Sequence, residues 1–491
     1  MQTPFILSAI VFLPILAGAV LLFLPPKNRQ LIYRFALGVA LLAFLLSIIV
    51  YLSFDAAGPR YQFIEKYDWL PALGISYHVG VDGITAPLVL LTGVVIFTGV
   101  IISQRIDERP REFFAFLFIL ASGVFGVFAS LDLFALFFFY EIAVFPMYLL
   151  IALWGWKQTR EYAAMKLTLY LFIGSVVALV GALAMYFASG LGTFDMLALE
   201  GANFSAEFQK FWFPFVFFGF AVLGGIFPFH NWSPDGHVAA PTAVSMFHAG
   251  VLMKLGAFAA LRVGIMLLPI GAQTHMPWII LLTLVNVVYG AFIAMVQTDF
   301  KYMIGFSSVS HMGLVTMGFA TLNYNGYLGA SVQMVSHGVM TALFFAVVGM
   351  VYDQAHTREI PKLGGLMRIM PFAAVAFIIG GLTSMGMPGF SGFIAEFPIF
   401  MGLWAGYPLI AILAVVSIAV TAAYIMRAIG RVFFGELPAE LEGHMHDIRP
   451  SEKMALGILC LIMIAIGIYP NVILPMVQSG VNAALALLGG A

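Results

Sequence analysis

Long apolar stretches, each close to the length of a membrane span, alternate along the chain with short polar connections. About 20 apolar residues in a helix cross the hydrocarbon layer of a bilayer once. The pattern therefore predicts an all-α integral membrane protein with about fourteen transmembrane helices. The predicted segments, numbered in chain order, span residues 5–24, 32–54, 84–103, 113–131, 132–154, 162–188, 209–230, 240–267, 276–297, 303–321, 327–351, 369–402, 407–434 and 453–476.

The composition favours a membrane protein and excludes several other classes. Of the 491 residues, 62% are hydrophobic and only 9% are charged, whereas soluble domains carry roughly 25% charged residues. This balance excludes a soluble enzyme, a disordered chain and a nucleic-acid-binding protein, since the last would need a basic face. The single cysteine, Cys460, excludes a disulfide framework and a cysteine-ligated iron–sulfur or zinc site. The sequence also contains neither a Walker A motif nor a dinucleotide-binding fingerprint.

The positive charges concentrate on one side of the predicted topology. If the first segment runs from outside to inside, sixteen of the 22 Lys and Arg residues lie in inner loops or at inner segment ends. The others are Arg60, Lys66, Lys210 and Arg262 on the outer side, and Lys166 and Lys254 within segments. This bias follows the positive-inside rule. We therefore expect a multi-pass protein of the cell's inner membrane with both termini on the outer, periplasmic side.

Two predicted segments contain clusters of glycine and proline that interrupt helices. The clusters are Gly219, Gly224, Gly225 and Pro228 in the seventh segment, and Gly380, Gly381, Gly386, Pro388, Gly389 and Gly392 in the twelfth. Broken helices at matching positions of two halves are typical of transporters built from repeats. Because the breaks are five segments apart, we expect two inverted five-helix repeats, segments 4–8 and 9–13. The expected division is an N-terminal three-helix part, the two repeats, and a C-terminal helix with its tail, at residues 1–112, 113–267, 268–435 and 436–491.

Four ionisable residues lie at membrane depth in this scheme. Glu141, Lys254 and Glu396 lie near the middle of the fifth, eighth and twelfth segments, and Lys166 lies one turn inside the sixth. A charge at the bilayer centre costs roughly 2.5–3.5 kcal/mol on insertion scales, so such residues are usually paired or functional. Groups of this kind that gain and lose protons form a proton relay. The alternative is that they only hold helices together, and that Lys166 extends to the inner interface.

Histidines add further proton-carrying candidates. Those within predicted segments are His248, His311 and His337. An imidazole can donate and accept a proton near neutral pH, although a membrane histidine can also be a hydrogen-bonded core residue. His230 and His237 flank a short inner loop with Asp235 and could suggest a metal site. We favour a loop held by hydrogen bonds.

Several longer stretches are more specific than hydropathy. They are FHNWSPDGH at 229–237, APTA at 240–243, QTDFK at 297–301, SSVSHMG at 307–313, YDQAHTR at 352–358 and PGFSGFIAEF at 388–397. Through them the chain resembles, over nearly its whole length, the subunit M family of respiratory complex I. These are antiporter-like membrane subunits of the proton-pumping NADH:quinone oxidoreductase, related to the Mrp antiporters.

The resemblance implies roles for individual residues. Glu141 matches the fifth-helix glutamate of the family's input path, and Lys254 matches its central lysine. His311 and His337 match histidines that link the two half-channels, and Glu396 matches the acid that ends the output path.

The resemblance also implies partners. We expect neighbouring antiporter-like subunits of the membrane arm around this chain, with FMN, iron–sulfur clusters, NADH and quinone bound only by partner subunits. We expect no cofactor or metal in this chain. The alternatives are a stand-alone or Mrp-type cation/proton antiporter subunit, or a membrane spacer with impaired pumping.

One position departs from the family pattern. The family places a lysine on the broken seventh helix, paired with the fifth-helix glutamate, and Leu223 occupies that position here. Ser233 also replaces the usual leucine of Trp-Leu-Pro, and His248 is similar to a histidine of Mrp-type subunits. The Glu–Lys pair is therefore absent, and we expect Glu141 to act as a neutral-to-anionic relay and not as half of a standing ion pair. If Lys166 or a histidine substitutes for the missing lysine, Lys166 is the better candidate.

Overall fold

The computed structural model describes residues 5–443 and 445–489 and consists mainly of helices. In chain order the elements are α1 (Ile6–Phe23), α2 (Arg29–Ser53), β1 (Gln62–Leu70), β2 (Ile75–Val81), α3 (Thr85–Ile102), α4 (Pro110–Ala129), α5 (Leu133–Trp154), α6 (Arg160–Ser189), α7 (Met196–Glu200), α8 (Ala206–Ala221), α9 (Trp232–Ala239), α10 (Thr242–Phe247), α11 (Met253–Ala259), α12 (Pro269–Val296), α13 (Phe300–Ala320), α14 (Tyr324–Ala355), α15 (Pro371–Ser384), α16 (Ser391–Gly406), α17 (Pro408–Ala428), α18 (Pro450–Ile468) and α19 (Leu474–Gly489).

Twelve helices within the described residues are long and apolar enough to cross a membrane. One of them, Thr242–Ile265, combines α10 and α11 with two π-helical stretches. The chain is therefore a multi-pass membrane protein, as its hydrophobic pattern predicts. Two pairs of shorter helices, α8 with α9 and α15 with α16, lie outside this set of twelve.

The two helix pairs flank interruptions in the glycine- and proline-rich segments. Residues 222–231 separate α8 from α9, and residues 385–390 separate α15 from α16. Gly225 has φ 75° and Gly389 has φ 93°. This left-handed region is readily accessible only to glycine, which explains why these residues stand where the helices stop.

The expectation of an all-α protein is wrong at residues 62–81. This stretch forms the antiparallel hairpin β1–β2, in which Gln62 pairs with Val81 and Leu70 with Ile75. Gly74 follows a short turn with φ 66°, and a Cβ there would lie 1.9 Å from the carbonyl oxygen of Gly192. A search for apolar runs passes over the hairpin because polar residues such as Glu65 and Lys66 interrupt it.

The residues after the fourteenth predicted segment are also more ordered than the expected tail. They form α19, which packs against α14 and approaches the residues just before α3. Gly83 makes this approach possible, because a Cβ there would lie 1.9 Å from the carbonyl oxygen of Met476.

Burial separates central helices from peripheral ones. In the most apolar 18-residue window of each span, 100% of the residues are buried for Thr242–Ile265 and for α14, and 94% for α13. The corresponding share is 28% for α2 and 39% for α6. Polar groups on the central helices are therefore shielded from lipid by protein, which is where a membrane protein can keep ionisable side chains.

Candidate functional site

Lys254 lies at the centre of the bundle with no exposed surface. Its helix widens to a π-helical turn over His248–Leu252, immediately before α11. The Lys254 ammonium donates a hydrogen bond to the carbonyl oxygen of Ala249 in that turn. Its Nζ also lies 2.8 Å from Nδ1 of His337 on α14. π-Helical turns often occur at functional sites, and this one offers the buried ammonium a main-chain acceptor.

His337 connects Lys254 to a second histidine. The ring of His337 lies 5.4 Å, centroid to centroid, from the ring of His311 on α13. An ammonium can only donate hydrogen bonds, so while Lys254 is charged, Nδ1 of His337 accepts and its Nε2 carries the proton. Nε2 of His337 has no hydrogen-bond partner within residues 5–443 and 445–489.

His311 reaches the acid at the far end of the string. Its Nδ1 lies 3.1 Å from Oε1 of Glu396, and its Nε2 lies 3.0 Å from the hydroxyl of Ser384. Gln333 donates from Nε2 to Oε1 of Glu396 at 3.2 Å. Glu396 lies on α16, just beyond the break in the predicted twelfth segment, and is 3% exposed. A Cβ on Gly386 would lie 2.9 Å from its Oε2, so the glycine leaves room for the carboxylate.

The structure thus brings together four of the residues singled out in the sequence. Lys254, His337, His311 and Glu396 form one string of titratable side chains across three central helices and α16. Each member can hold or pass a proton. The string is the arrangement that a proton path needs.

His248, six residues before Lys254, lies next to His237, which the sequence predicts to flank a loop. The rings of His248 and His237 lie 4.0 Å apart, and Trp232 stacks on His248 at 5.3 Å. Nε2 of His237 lies 3.1 Å from the hydroxyl of Ser233. Neither ring nitrogen of His248, nor Nδ1 of His237, has a hydrogen-bond partner in the described part of the chain.

His237 could have been found from its position. It ends the FHNWSPDGH stretch, eleven residues before His248, and α9 turns back against α10 between them.

The loop histidines do not gather around a metal. The ring of His230 stacks on Phe227 at 5.6 Å and meets the ring of Tyr289 edge to face at 5.4 Å. Asp235 is engaged by Lys166, and His237 faces His248. Within residues 5–443 and 445–489, no group of three or more His, Cys, Asp or Glu side chains could hold a metal ion.

Lys166, the better candidate for a substitute partner of Glu141, pairs with a different carboxylate. Nζ of Lys166 lies 2.7 Å from Oδ2 of Asp235, and the hydroxyl of Tyr302 donates to Oδ1 of the same carboxylate at 2.9 Å. Asp235 lies in the first turn of α9 and accepts a hydrogen bond from the Lys166 ammonium. Sequence distance hides this pairing, because the two residues are 69 positions apart.

Glu141 stands apart from the string. It is exposed on the surface of α5 and lies beside Ser175 of α6. Leu223, at the position of the family lysine, is fully buried and apolar. Among the described residues no cation forms an ion pair with Glu141.

A cavity of about 640 Å³ opens at the end of the bundle where the predicted inner loops lie. We call it the inner cavity. It is lined by the loops after α3 and α5, the turn between α9 and α10, Lys301, and the end of α14 with Arg358. Lys301 is 6% exposed, and its Nζ donates to the carbonyl oxygens of Ala240 at 2.6 Å and Val238 at 3.4 Å.

The profile of a protein family described as NADH:quinone oxidoreductase/Mrp antiporter, transmembrane, matches residues 130–421. The matched range holds Lys254, His311, His337 and Glu396.

Named relatives align over almost the whole chain. NADH-quinone oxidoreductase subunit M of Rhodobacter capsulatus is 36% identical over 493 residues, which cover 97% of this chain and 95% of that protein. NAD(P)H-quinone oxidoreductase chain 4 of Acaryochloris marina is 37% identical over 479 residues, covering 95% and 90%.

Solved structures share the fold. A chain of respiratory complex I from Thermus thermophilus superposes with a TM-score of 0.91 at 28% identity, covering 99% of this chain and 100% of that one. A chain of the Mrp complex from Dietzia sp. gives a TM-score of 0.83 at 19% identity, covering 98% and 99%. At that identity the second match supports the architecture alone.

Proposed function

Because the chain belongs to the NADH:quinone oxidoreductase/Mrp antiporter family, we propose that it is a proton-translocating membrane subunit of an NADH:quinone oxidoreductase. The observation that carries the proposal is the string Lys254–His337–His311–Glu396, which links the bundle centre to the break before α16. Two relatives named as subunits of quinone oxidoreductases support the assignment to such an assembly.

The string suggests how protons move. A proton leaves the Lys254 ammonium for Nδ1 of His337, whose Nε2 proton passes on towards His311. His311 then gives its proton to Glu396, which releases it towards the outer side. Buried polar atoms usually have hydrogen-bond partners. The unpartnered Nε2 of His337 therefore favours a water molecule that carries the proton between His337 and His311.

The energy for transport comes from partner subunits. We infer that FMN, iron–sulfur clusters, NADH and quinone are bound there, and that neighbouring antiporter-like subunits contact this chain in a membrane arm. A change in the charge next to Lys254 then alters how tightly this lysine holds its proton. We infer that Glu141, which is exposed on α5, senses such a neighbour.

The proposed topology has fourteen crossings. The twelve long helices supply twelve of them, and the broken pairs α8–α9 and α15–α16 supply two more. Segments 4–8 and 9–13 then form the inverted repeats, with residues 1–112 before them and 436–491 after them. Both termini face the periplasm across the inner membrane, in keeping with the charge bias of the loops.

The second candidate is a stand-alone or Mrp-type cation/proton antiporter. The description of the family includes the Mrp antiporters, and the resemblance of His248 to a histidine of Mrp-type subunits favours this candidate. Leu223 in place of the family lysine favours the further alternative of a membrane spacer with impaired pumping. Isolation of the chain in an assembly with FMN and iron–sulfur proteins would favour the oxidoreductase. Cation/proton exchange by the isolated chain would favour the antiporter. If the assembled complex pumps unchanged after Lys254 is replaced, the chain is a spacer.

Lys254→Met tests the proposal in the intact assembly. Methionine fits the buried site but carries no proton, so we expect most of this chain's contribution to proton pumping to be lost while assembly and electron transfer persist. The measurement is the ratio of protons pumped to electrons transferred in proteoliposomes. Lys362→Met is the matched control, because Lys362 is an exposed lysine of a predicted inner loop. An unchanged ratio in an assembled Lys254→Met complex would contradict the proposed function.

A further inference from the structure

The string described above begins at Lys254 and leaves open how a proton reaches that lysine. The family's route from Glu141 through a seventh-helix lysine lacks its second member, because Leu223 is apolar. Glu141 itself lies on the surface of α5. Lys166, the other lysine at membrane depth, is held by Asp235. A different group must pass protons inward.

Lys301 occupies the floor of the inner cavity. It is the second residue of α13 and is almost fully buried. Its hydrogen bonds run to the main-chain carbonyls of Ala240 and Val238. Within residues 5–443 and 445–489 no carboxylate lies within 4.0 Å of its ammonium. The charge of a buried ammonium that is bonded only to carbonyls is stabilised less than the charge of one in an ion pair. Such an ammonium can therefore release its proton.

The charged groups around Lys301 come from several elements. Arg358 donates to the carbonyl of Val238 at 2.9 Å and lies 3.2 Å from Asp299. Asp353, at the end of α14, lines the cavity and acts on Lys301 from a longer range. Arg358 is permanently charged and paired. Lys157 and His356 also line the cavity but are exposed, so Lys301 is the buried titratable cation of this lining.

The next titratable group inward is His237, the residue before Val238. It lies within electrostatic range of Lys301 on one side and of His248 and Lys254 on the other. Its Nδ1 and both nitrogens of His248 are unpartnered in the described part of the chain. Buried imidazole nitrogens normally have a hydrogen-bond partner, so these two rings, whose centroids lie 4.0 Å apart, favour water as the partner that would carry protons between them.

We propose that protons enter from the inner cavity through Lys301 and pass along the His237–His248 pair to Lys254, in place of the missing seventh-helix lysine. The proposal rests on the proposed function. Lys301 gives one proton to His237, His237 gives one to His248, and His248 gives one to the neutral amine of Lys254. A proton from water in the cavity then restores the Lys301 ammonium, so each transfer leaves one donor neutral and one acceptor charged.

The decisive variant is Lys301→Arg. A guanidinium keeps the positive charge and donates to the same carbonyls, but it does not deprotonate in proteins. A purely structural lysine would therefore be replaced with little effect. We expect Lys301→Arg to lower the pumping rate of the assembled complex at least about tenfold, because a positioned proton-transfer group typically contributes about 10²–10⁴-fold. Lys362→Arg, on the exposed inner surface, is the matched control and should pump normally.

Lys301→His provides a second readout. Histidine is titratable with an ordinary pKa of about 6.5 against about 10.4 for lysine. It should therefore restore pumping in part, and the alkaline limb of the pH profile should move towards acid, because the imidazole is protonated only at lower pH. Normal pumping by Lys301→Arg, or an unshifted profile in Lys301→His, would overturn the proposal.

The outcomes also separate this proposal from the proposed function. If Lys254→Met abolishes pumping and Lys301→Arg does not, the function stands and the entry route is wrong. If neither variant changes pumping in an assembled complex, both fail. If Lys301→Arg prevents assembly, the variant His237→Gln replaces it as the test. Retained pumping by the assembled His237→Gln complex would overturn the route, and a loss of about tenfold would support it.

Discussion

At the scale of single residues, the site depends as much on small side chains as on titratable ones. Gly386 has φ 62°, and a Cβ there would lie 2.9 Å from the carboxylate of Glu396. The glycine therefore serves two purposes, a left-handed backbone at the break and space for the acid that ends the string.

Gly386→Ala should disturb both features. We expect the alanine to push the Glu396 carboxylate away from His311 and to lower the pumping rate several-fold, while α16 still folds. The measurement is proton pumping at equal complex content, with Gly406→Ala as control because nothing lies within 4 Å of a Cβ at Gly406. Equal losses in the two variants would indicate a general weakening of the helices and not a displaced carboxylate.

At the scale of elements, a buried ion pair fastens the bundle at the end that carries the β1–β2 hairpin. Arg262, in the π-helical stretch after α11, donates to Asp82 at 2.5 Å and to the hydroxyl of Tyr61. Asp82 also accepts from the amide of Thr85 at the start of α3. Both charged residues are at most 3% exposed. The pair thus ties the helix that carries Lys254 to the end of the hairpin.

Removing one partner of this pair should destabilise the protein. Arg262→Met leaves the Asp82 carboxylate buried without its cation, which typically costs about 3–5 kcal/mol. We expect a clear fall in the thermal midpoint of the purified protein in detergent, and less loss in the double variant Asp82→Asn/Arg262→Met, where no uncompensated charge remains. A double variant as unstable as the sum of its parts would argue against the pair.

The hairpin has a second anchor, which is sensitive to pH. Burial by itself raises the pKa of the Asp195 carboxyl, but Lys66, at 2.6 Å, and His78, at 3.3 Å, hold that pKa well below its ordinary value. Because the pKa of Asp195 is depressed in the folded protein, its ion pairs stabilise the fold fully above the ordinary carboxyl pKa of about 3.9. This stabilisation is lost as the pH falls through the pKa of the folded state.

Hydrogen exchange in β1 and β2 is therefore expected to stay slow, after correction for intrinsic rates, from pH 7 down to about pH 4, and to rise below it. Asp195→Asn removes the charge, so its hairpin should exchange faster at neutral pH and show no further acid step. An acid step of the same size in Asp195→Asn would assign the sensitivity to another group.

At the scale of the whole molecule, hydrophobic runs predict the membrane helices well because burial in lipid acts on each segment separately. The breaks after α8 and α15 are also readable, since glycine and proline interrupt helices locally. The hairpin is not, because its polar strands carry no apolar run. The Lys166–Asp235 pair and the position of Glu141 depend on which helices become neighbours, and no local pattern contains that information.

The same limit applies to the site. Lys254, His311, His337 and Glu396 were recognisable one by one as ionisable groups at membrane depth, or by family resemblance. Their contact order is visible only in the fold. The short spacing of His237 and His248 is visible in the sequence, but the contact between their rings depends on the turn of α9 onto α10.

The central claim is that Lys254 and the groups beyond it form one path. The most direct test is the proton-to-electron ratio of the assembled complex with Lys254→Met, His337→Leu and both together. Residues that act in one path show non-additive effects. We predict that each single variant lowers the ratio by the same amount and that the double variant lowers it no further. A double variant that loses twice as much, or a His337→Leu complex that pumps normally, would contradict the account.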